Sequence, residues 1–219
     1  MQGQLLPVLL SNMLVLRKSL GNCTMPPPKF QGIDFTDHQV TQLDLKNPPD
    51  HRGFRCSRQE FSTYWRGERI KRDVNSSVCQ AWFIQNQSGF AGYITLFADK
   101  LEVGDGDQVL INEGIKYTTF PSVKIGLLAA DQRAKGAGKR LVDWAVGYIA
   151  VELWPKLGIR FVTVDALLDP ESMYDTSNYY RRFGFLLANP HHSNPMDGFN
   201  TMFLDLLPIV EATQAVEST

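Results

Sequence analysis

Residues 127–154 read LLAADQRAKGAGKRLVDWAVGYIAVELW. Apolar and small residues lead into Asp131, cations then alternate with Gly136, Ala137 and Gly138, and apolar positions afterwards recur at helical spacing. The stretch predicts a strand, a tight turn and a long helix, in that order. Leu141, Val142, Ala145, Val146, Ile149, Ala150 and Leu153 make one apolar helix face, which Pro155 is expected to end. The first amides of such a helix have no partner inside it, and small residues let an anion approach them closely. The helix dipole and the charges of Arg133, Lys135, Lys139 and Arg140 favour the same ligand, so the turn suits a pyrophosphate. A nucleoside-triphosphate loop is excluded, because Arg133 and Arg140 stand where that motif needs a glycine and a Ser or Thr. A dinucleotide fingerprint is excluded as well, because Leu141 occupies the place of its third glycine.

Outward from this core, FRCSRQEFSTYWRGERIKR places Phe61, Tyr64 and Trp65 at helical spacing. VCQAWFIQN and FAGYITLFA read as strands joined by a QSG hairpin turn. Residues 99–117 are polar and glycine-rich, which predicts a loop or broken helix before the strand SVKIGLLAA. IRFVTVDALL is a β-branched, buried strand. DTSNYYRRFGF is a short helix with Asp175 as candidate N-cap, FNTMFLDL is a last strand, and EATQAVEST is expected to fray. Three prolines in TMPPPKF separate an amino-terminal arm from the body, giving an arm and linker over 1–50, a main domain over 51–207 and a tail over 208–219. Trp82 and Trp144 are core candidates, and Tyr179 and Phe183 are expected to pack on the sheet.

With 219 residues, the chain has material for one sizeable core. Its formal net charge of −1 gives no global attraction to nucleic acid or anionic membranes. Cys23, Cys56 and Cys79 show neither a disulfide framework nor a metal-ligand spacing, which fits a reducing cytoplasm. The apolar run over 5–16 precedes its cations, the wrong order for a signal peptide, and is too short and interrupted to span a membrane. It reads as a docking helix or a partner-contacting arm, a surface through which a homodimer could form. His191 and His192 are adjacent in a polar loop, where side chains diverge, so no metal site is expected.

The segment RAKGAG, preceded by IGLLAAD and followed at the right separation by YYRRFGF, resembles the GNAT family of acetyl-CoA-dependent N-acetyltransferases. The resemblance covers about residues 54–206. FRCSRQEFSTYW, LLAAD and NYYRRFGF are most similar to the small bacterial branch that includes tRNA-acetylating toxins. It implies an α/β (α+β) GNAT fold, with a central mixed, mostly antiparallel sheet whose middle strands splay and which helices flank. It also implies acetyl-CoA as cosubstrate, no metal, and transfer of an acetyl group to a primary amine. Alternatives are a toxin acetylating the α-amine of aminoacyl-tRNA, and a catalytically idle module that binds coenzyme A. A tRNA substrate requires a cationic surface, which the overall charge does not supply.

By the same resemblance, the main chain of Leu128, Ala129 and Ala130 receives the pantetheine arm. Arg133, Ala134, Lys135, Gly136, Ala137, Gly138 and Lys139 take the pyrophosphate, chiefly through backbone amides, and Asn178 touches the cofactor or caps its helix. Tyr180 would protonate the leaving thiolate. No acidic residue lies in 114–130, where many family members carry a glutamate base. Asp165 and Glu113 are remote candidates for that task. Without a strong base an α-amine, with a pKa of roughly 8, is easier to acetylate than a lysine near ~10.4.

Overall fold

A computed structural model describes residues 29–102, 114, 117–188 and 198–217. The arm before residue 29, Glu113, and His191 and His192 lie outside the described residues. The chain enters the sheet with β1 (Val40–Gln42), then forms α1 (Gln59–Arg66) and α2 (Glu68–Asn75), which part at Gly67. Strands β2 (Gln80–Asn86) and β3 (Gly89–Glu102) form a hairpin, closed where Asn86 faces Gly89 and takes the Ser88 N–H on its side-chain oxygen at 2.8 Å. β4 (Thr119–Ala130), α3 (Ala137–Tyr148), a π-helical turn (Ile149–Leu153) and α4 (Trp154–Leu157) follow. The chain ends with β5 (Phe161–Asp169), β6 (Tyr174–Asp175), α5 (Ser177–Arg181), β7 (Leu186–Leu187), β8 (Phe199–Asp205) and α6 (Leu207–Glu217).

The sheet order is β1-β2-β3-β4-β5-β8-β7, with β6 paired to β5. Every ladder is antiparallel except β4–β5, whose parallel register covers only Ser122 to Ile125 against Phe161 to Val164. This is the mixed, mostly antiparallel sheet with parted middle strands that the sequence implied. One face is covered by α3 and the π turn, whose Leu141, Val142, Ala145 and Ile149 are fully buried. The other face carries α1 and α2, which seat Tyr64, Trp65 and Ile70 with Phe54 on Phe83, Phe90 and Tyr93. Burial of these side chains supplies the driving force, about 1.5–3 kcal/mol for each large apolar group. Trp82 is buried against the ring of half-buried Trp144 at 5.2 Å.

Four local expectations differ from the structure. β3 continues through residues 99–102, because Asp99 to Glu102 find antiparallel partners in Thr119 to Ser122. Pro155 does not end the helix; the chain widens into the π turn, in which Trp154 donates to Ile149 O, and Pro155 then sits in the first turn of α4, where its missing N–H costs nothing. The helix stops at Gly158, whose φ of 61° is left-handed. The tail is helical to Glu217, with Val210 buried. Within the segment assigned to the arm, Phe30, Phe35 and Val40 are buried in the same core as α3.

Candidate active site

Beyond Ile125 and Val164 the strands β4 and β5 have no register with each other, and a cleft of about 520 Å³ occupies the gap. A bulge in β4 starts the divergence. Ile94 faces Leu128 and Leu96 faces Ile125, so Thr95 alone opposes Gly126 and Leu127. The buried Thr95 hydroxyl accepts the Leu127 N–H at 2.8 Å and closes the bulge. Gly126 is required there, because a Cβ would lie 2.5 Å from Phe97 Cε1 and 2.8 Å from Thr95 Oγ1. A lone glycine inside a strand pattern is the signal that could have revealed this bulge from the sequence. Leu128 and Ala130 line the cleft, whereas the Ala129 side chain packs in the opposite core, so only its main chain can serve a ligand on this side.

The turn after β4 is built on Asp131. This buried carboxylate accepts the N–H groups of Arg55 and Arg133, each at 3.0 Å, and a fork from the Arg133 guanidinium. Burial alone would push the Asp131 carboxyl up, but the Arg133 side chain and these backbone N–H groups outweigh it and hold it below the usual carboxylate range. The chain then turns through Gly136, whose φ of 92° is left-handed, into α3. Ala137 donates to Ala134 O at 3.2 Å, while among the described residues the amides of Lys135, Gly136, Gly138 and Lys139 have no acceptor. Ala134, Gly136, Gly138 and Lys139 line the cleft, and Ala137 is buried beneath them. Unpaired amides at the start of a 12-residue helix make an anion cradle.

The cations assigned to this cradle are mostly committed elsewhere. Arg133 grips Asp131 and also donates to Gly53 O at 2.6 Å. Arg140 donates to His38 O at 3.0 Å, and Lys139 pairs with Asp143. Lys135 is exposed. The cradle is therefore a main-chain device reinforced by the dipole, with Arg133 acting as a structural tie.

Across the cleft, α5 presents Tyr180 and Tyr179. Tyr180 is buried, its ring 5.7 Å from that of Phe185, and its hydroxyl has no hydrogen-bond partner among the described residues. Burial pushes its phenol well up, so it stands in the cleft as a neutral hydroxyl. Half-buried Tyr179 is pushed up to about 12, again chiefly by burial, and its hydroxyl lies 3.0 Å from where a Gly138 Cβ would stand. Asn178 is exposed, holds Arg181 at 2.9 Å and does not line the cleft. Asp175 serves the helix start one position outside the predicted place: Thr176 is the N-cap residue, and the Asp175 carboxylate takes the Ser177 N–H at 2.7 Å.

A second cavity of about 410 Å³ adjoins the first, between β4 and helices α1 and α2. Phe61, Gly126 and Asp165 line both. Asp165 is bound by Lys124 from β4 and accepts the Thr201 hydroxyl from β8 at 3.0 Å. Among the described residues no group of three or more His, Cys, Asp or Glu side chains gathers as a metal site, and no helix is long and apolar enough to cross a membrane.

A mixed sheet that parts at its one parallel ladder, with a glycine turn opening onto the gap, is the arrangement of the GNAT fold, and this chain has that fold. Solved structures that share it include KacT and the toxin AtaT. A tyrosine-to-phenylalanine mutant of KacT is 20% identical, with a TM-score of 0.64 over 80% of this chain and 98% of that one. AtaT complexed with acetyl-methionyl-tRNAfMet is 20% identical, with a TM-score of 0.63 over 79% and 97%. An AtaT mutant bound to acetyl-CoA and the C-terminus of the antitoxin AtaR is 18% identical, with a TM-score of 0.59 over 84% and 99%. No protein-family model and no curated protein matches the sequence.

Proposed function

We propose that the chain is an N-acetyltransferase that moves the acetyl group of acetyl-CoA to a primary amine. The observation that carries this reading is the set of unpartnered amides at Lys135, Gly136, Gly138 and Lys139, opening onto the same cleft as the Tyr180 phenol. The amides take the diphosphate of the coenzyme. The edge of β4 beyond Ile125, released from β5, offers main-chain groups to the pantetheine arm. Tyr180, whose phenol lines the same cleft, then gives its proton to the departing thiolate. The second cavity receives the acceptor, because it opens into the coenzyme cleft at Phe61, Gly126 and Asp165.

The finer reading is that the acceptor is the α-amine of an aminoacyl-tRNA. AtaT, of the same fold, is found with acetyl-methionyl-tRNAfMet. Local charge favours it despite the formal net charge of −1: Arg66, Arg69, Lys71 and Arg72 are exposed along α1 and α2, outnumbering the Glu68 and Asp73 that pair with three of them, and Arg69 lines the second cavity. Such a ridge can meet phosphates that the average charge would not attract.

The test is to incubate the protein with acetyl-CoA and either pooled aminoacyl-tRNA or a panel of small amines, following free thiol and N-acetylated product. Thiol release that depends on charged tRNA supports both readings. Turnover confined to small amines keeps the acetyltransferase and removes the tRNA. Absence of calorimetric affinity for acetyl-CoA overturns the proposal, and affinity without turnover on any acceptor leaves an idle coenzyme-binding module.

A further inference from the structure

We propose that Asp165 is the group that takes the proton from the acceptor amine. This rests on the acetyltransferase reading and supplies the base absent from residues 114–130. Among the described residues four carboxylates line the two cavities: Glu60, Asp73, Asp165 and Asp175. All four have partners: Glu60 has Arg58, Asp73 the Tyr64 hydroxyl and Arg69, Asp175 the Ser177 N–H, and Asp165 Lys124 and the Thr201 hydroxyl, so position decides between them. Asp165 alone among them faces both cavities, at the junction where acceptor and thioester must meet. It stands at the first residue of β5 after the parallel ladder ends, opposite the bulge at Gly126. The parting of the strands that makes room for the coenzyme therefore also uncovers this carboxylate.

Its orientation is fixed from both sides. Lys124 binds Oδ2, and the Thr201 hydroxyl donates to Oδ1 at 3.0 Å. An ionised carboxylate accepts about four hydrogen bonds, so two positions remain for an incoming N–H. Lys124 has only donors and cannot take a proton while charged; its part is to hold Asp165 in place.

As the amine nitrogen attacks the thioester carbonyl, the C–N bond forms and the N–H becomes strongly acidic. Asp165 accepts that proton. Collapse of the adduct breaks the C–S bond, and the thiolate takes the Tyr180 hydroxyl proton, which solvent later replaces. Asp165 returns its proton to solvent, leaving an amide and the free thiol, with atoms and charge balanced.

The experiment compares wild type, Asp165→Asn, Asp165→Glu and Lys124→Met, using acetyl-CoA with pooled aminoacyl-tRNA and with methioninamide, and measures kcat, acetyl-CoA affinity by calorimetry and thermal unfolding. The Asn variant keeps shape and hydrogen bonding but loses basicity, and its kcat is expected to fall on the order of 100-fold with coenzyme affinity unchanged. Asp165→Glu is expected to recover part of that loss, and Lys124→Met to keep at least about tenfold more turnover than the Asn variant. An Asn variant within about threefold of wild type overturns the role of Asp165 and leaves the acetyltransferase intact. Equal loss in Lys124→Met and Asp165→Asn, with matching loss of thermal stability, overturns it in favour of a structural ion pair. A wild-type protein with no calorimetric affinity for acetyl-CoA, or with affinity but no thiol release on charged tRNA or any amine of the panel, removes the acetyltransferase reading itself, and this role with it.

Discussion

Arg133 forks onto the carboxylate of Asp131, with Nε 2.8 Å from Oδ1 and Nη2 2.7 Å from Oδ2. The Asp131 side chain has no exposed surface and that of Arg133 is 28% exposed, so removing the guanidinium strands a buried charge. Arg133→Met is expected to cost about 3 kcal/mol of folding stability, at the low end for a broken buried pair because Arg133 is partly hydrated. Coenzyme affinity is expected to change little. Denaturant unfolding and calorimetry on the same variant check the two halves of this statement.

The same carboxylate sets a pH dependence. Its folded pKa lies below its unfolded one, so its contribution to stability is full above the unfolded value of about 4 and is lost as pH falls through the folded value. Thermal unfolding measured across acid pH should show that loss, and Asp131→Asn should flatten the slope in that window while lowering stability at neutral pH.

Tyr180→Phe removes one oxygen from a buried ring that makes no hydrogen bond among the described residues. Its packing on Phe185 is retained, so stability should hold. If the phenol protonates the thiolate, kcat should fall about 100-fold while acetyl-CoA affinity stays. Steady-state kinetics beside calorimetry separates that outcome from a packing role.

At Gly138 an added Cβ would come within 3.0 Å of the Tyr179 hydroxyl and 3.6 Å of the Ala130 Cβ, at the rim of the amide cradle. Gly138→Val is expected to weaken acetyl-CoA binding by at least about tenfold, ~1.4 kcal/mol. Helicity measured by circular dichroism should be unchanged, since the position already has helical geometry.

Gly126→Ala tests the bulge. Its methyl would meet the Phe97 ring and the Thr95 hydroxyl at distances no packed carbon tolerates, so either the strand shifts or the ring moves. A destabilisation of about 1–3 kcal/mol is expected, together with loss of turnover, because both cavities meet at this residue. Unfolding curves and thiol release measure these together.

Much of the fold was legible because it follows local rules. Alternation and β-branching marked the strands, the apolar stripe from Leu141 marked α3, and Gly136 to Gly138 marked the turn. The hidden parts depend on residues distant in sequence. Asp131 became structural because Arg55 and Arg133 converge on it, which no spacing announces. Pro155 broke its local rule because the π turn before it starts a new helix in which Pro155 lies in the first turn, and the tail helix formed with Val210 in a buried place. Asp165 is only a remote candidate base in the sequence, because nothing local shows that two cavities share it.

The two halves of the sheet are joined edge to edge by only four residue pairs, Ser122 to Ile125 against Phe161 to Val164. Such a short suture is where the molecule can gape, and anything wedged above it acts as a keystone for both halves. Amide hydrogens along the released rim of β4 should then exchange quickly in the free protein and slow together once the wedge is in place, before any chemistry occurs.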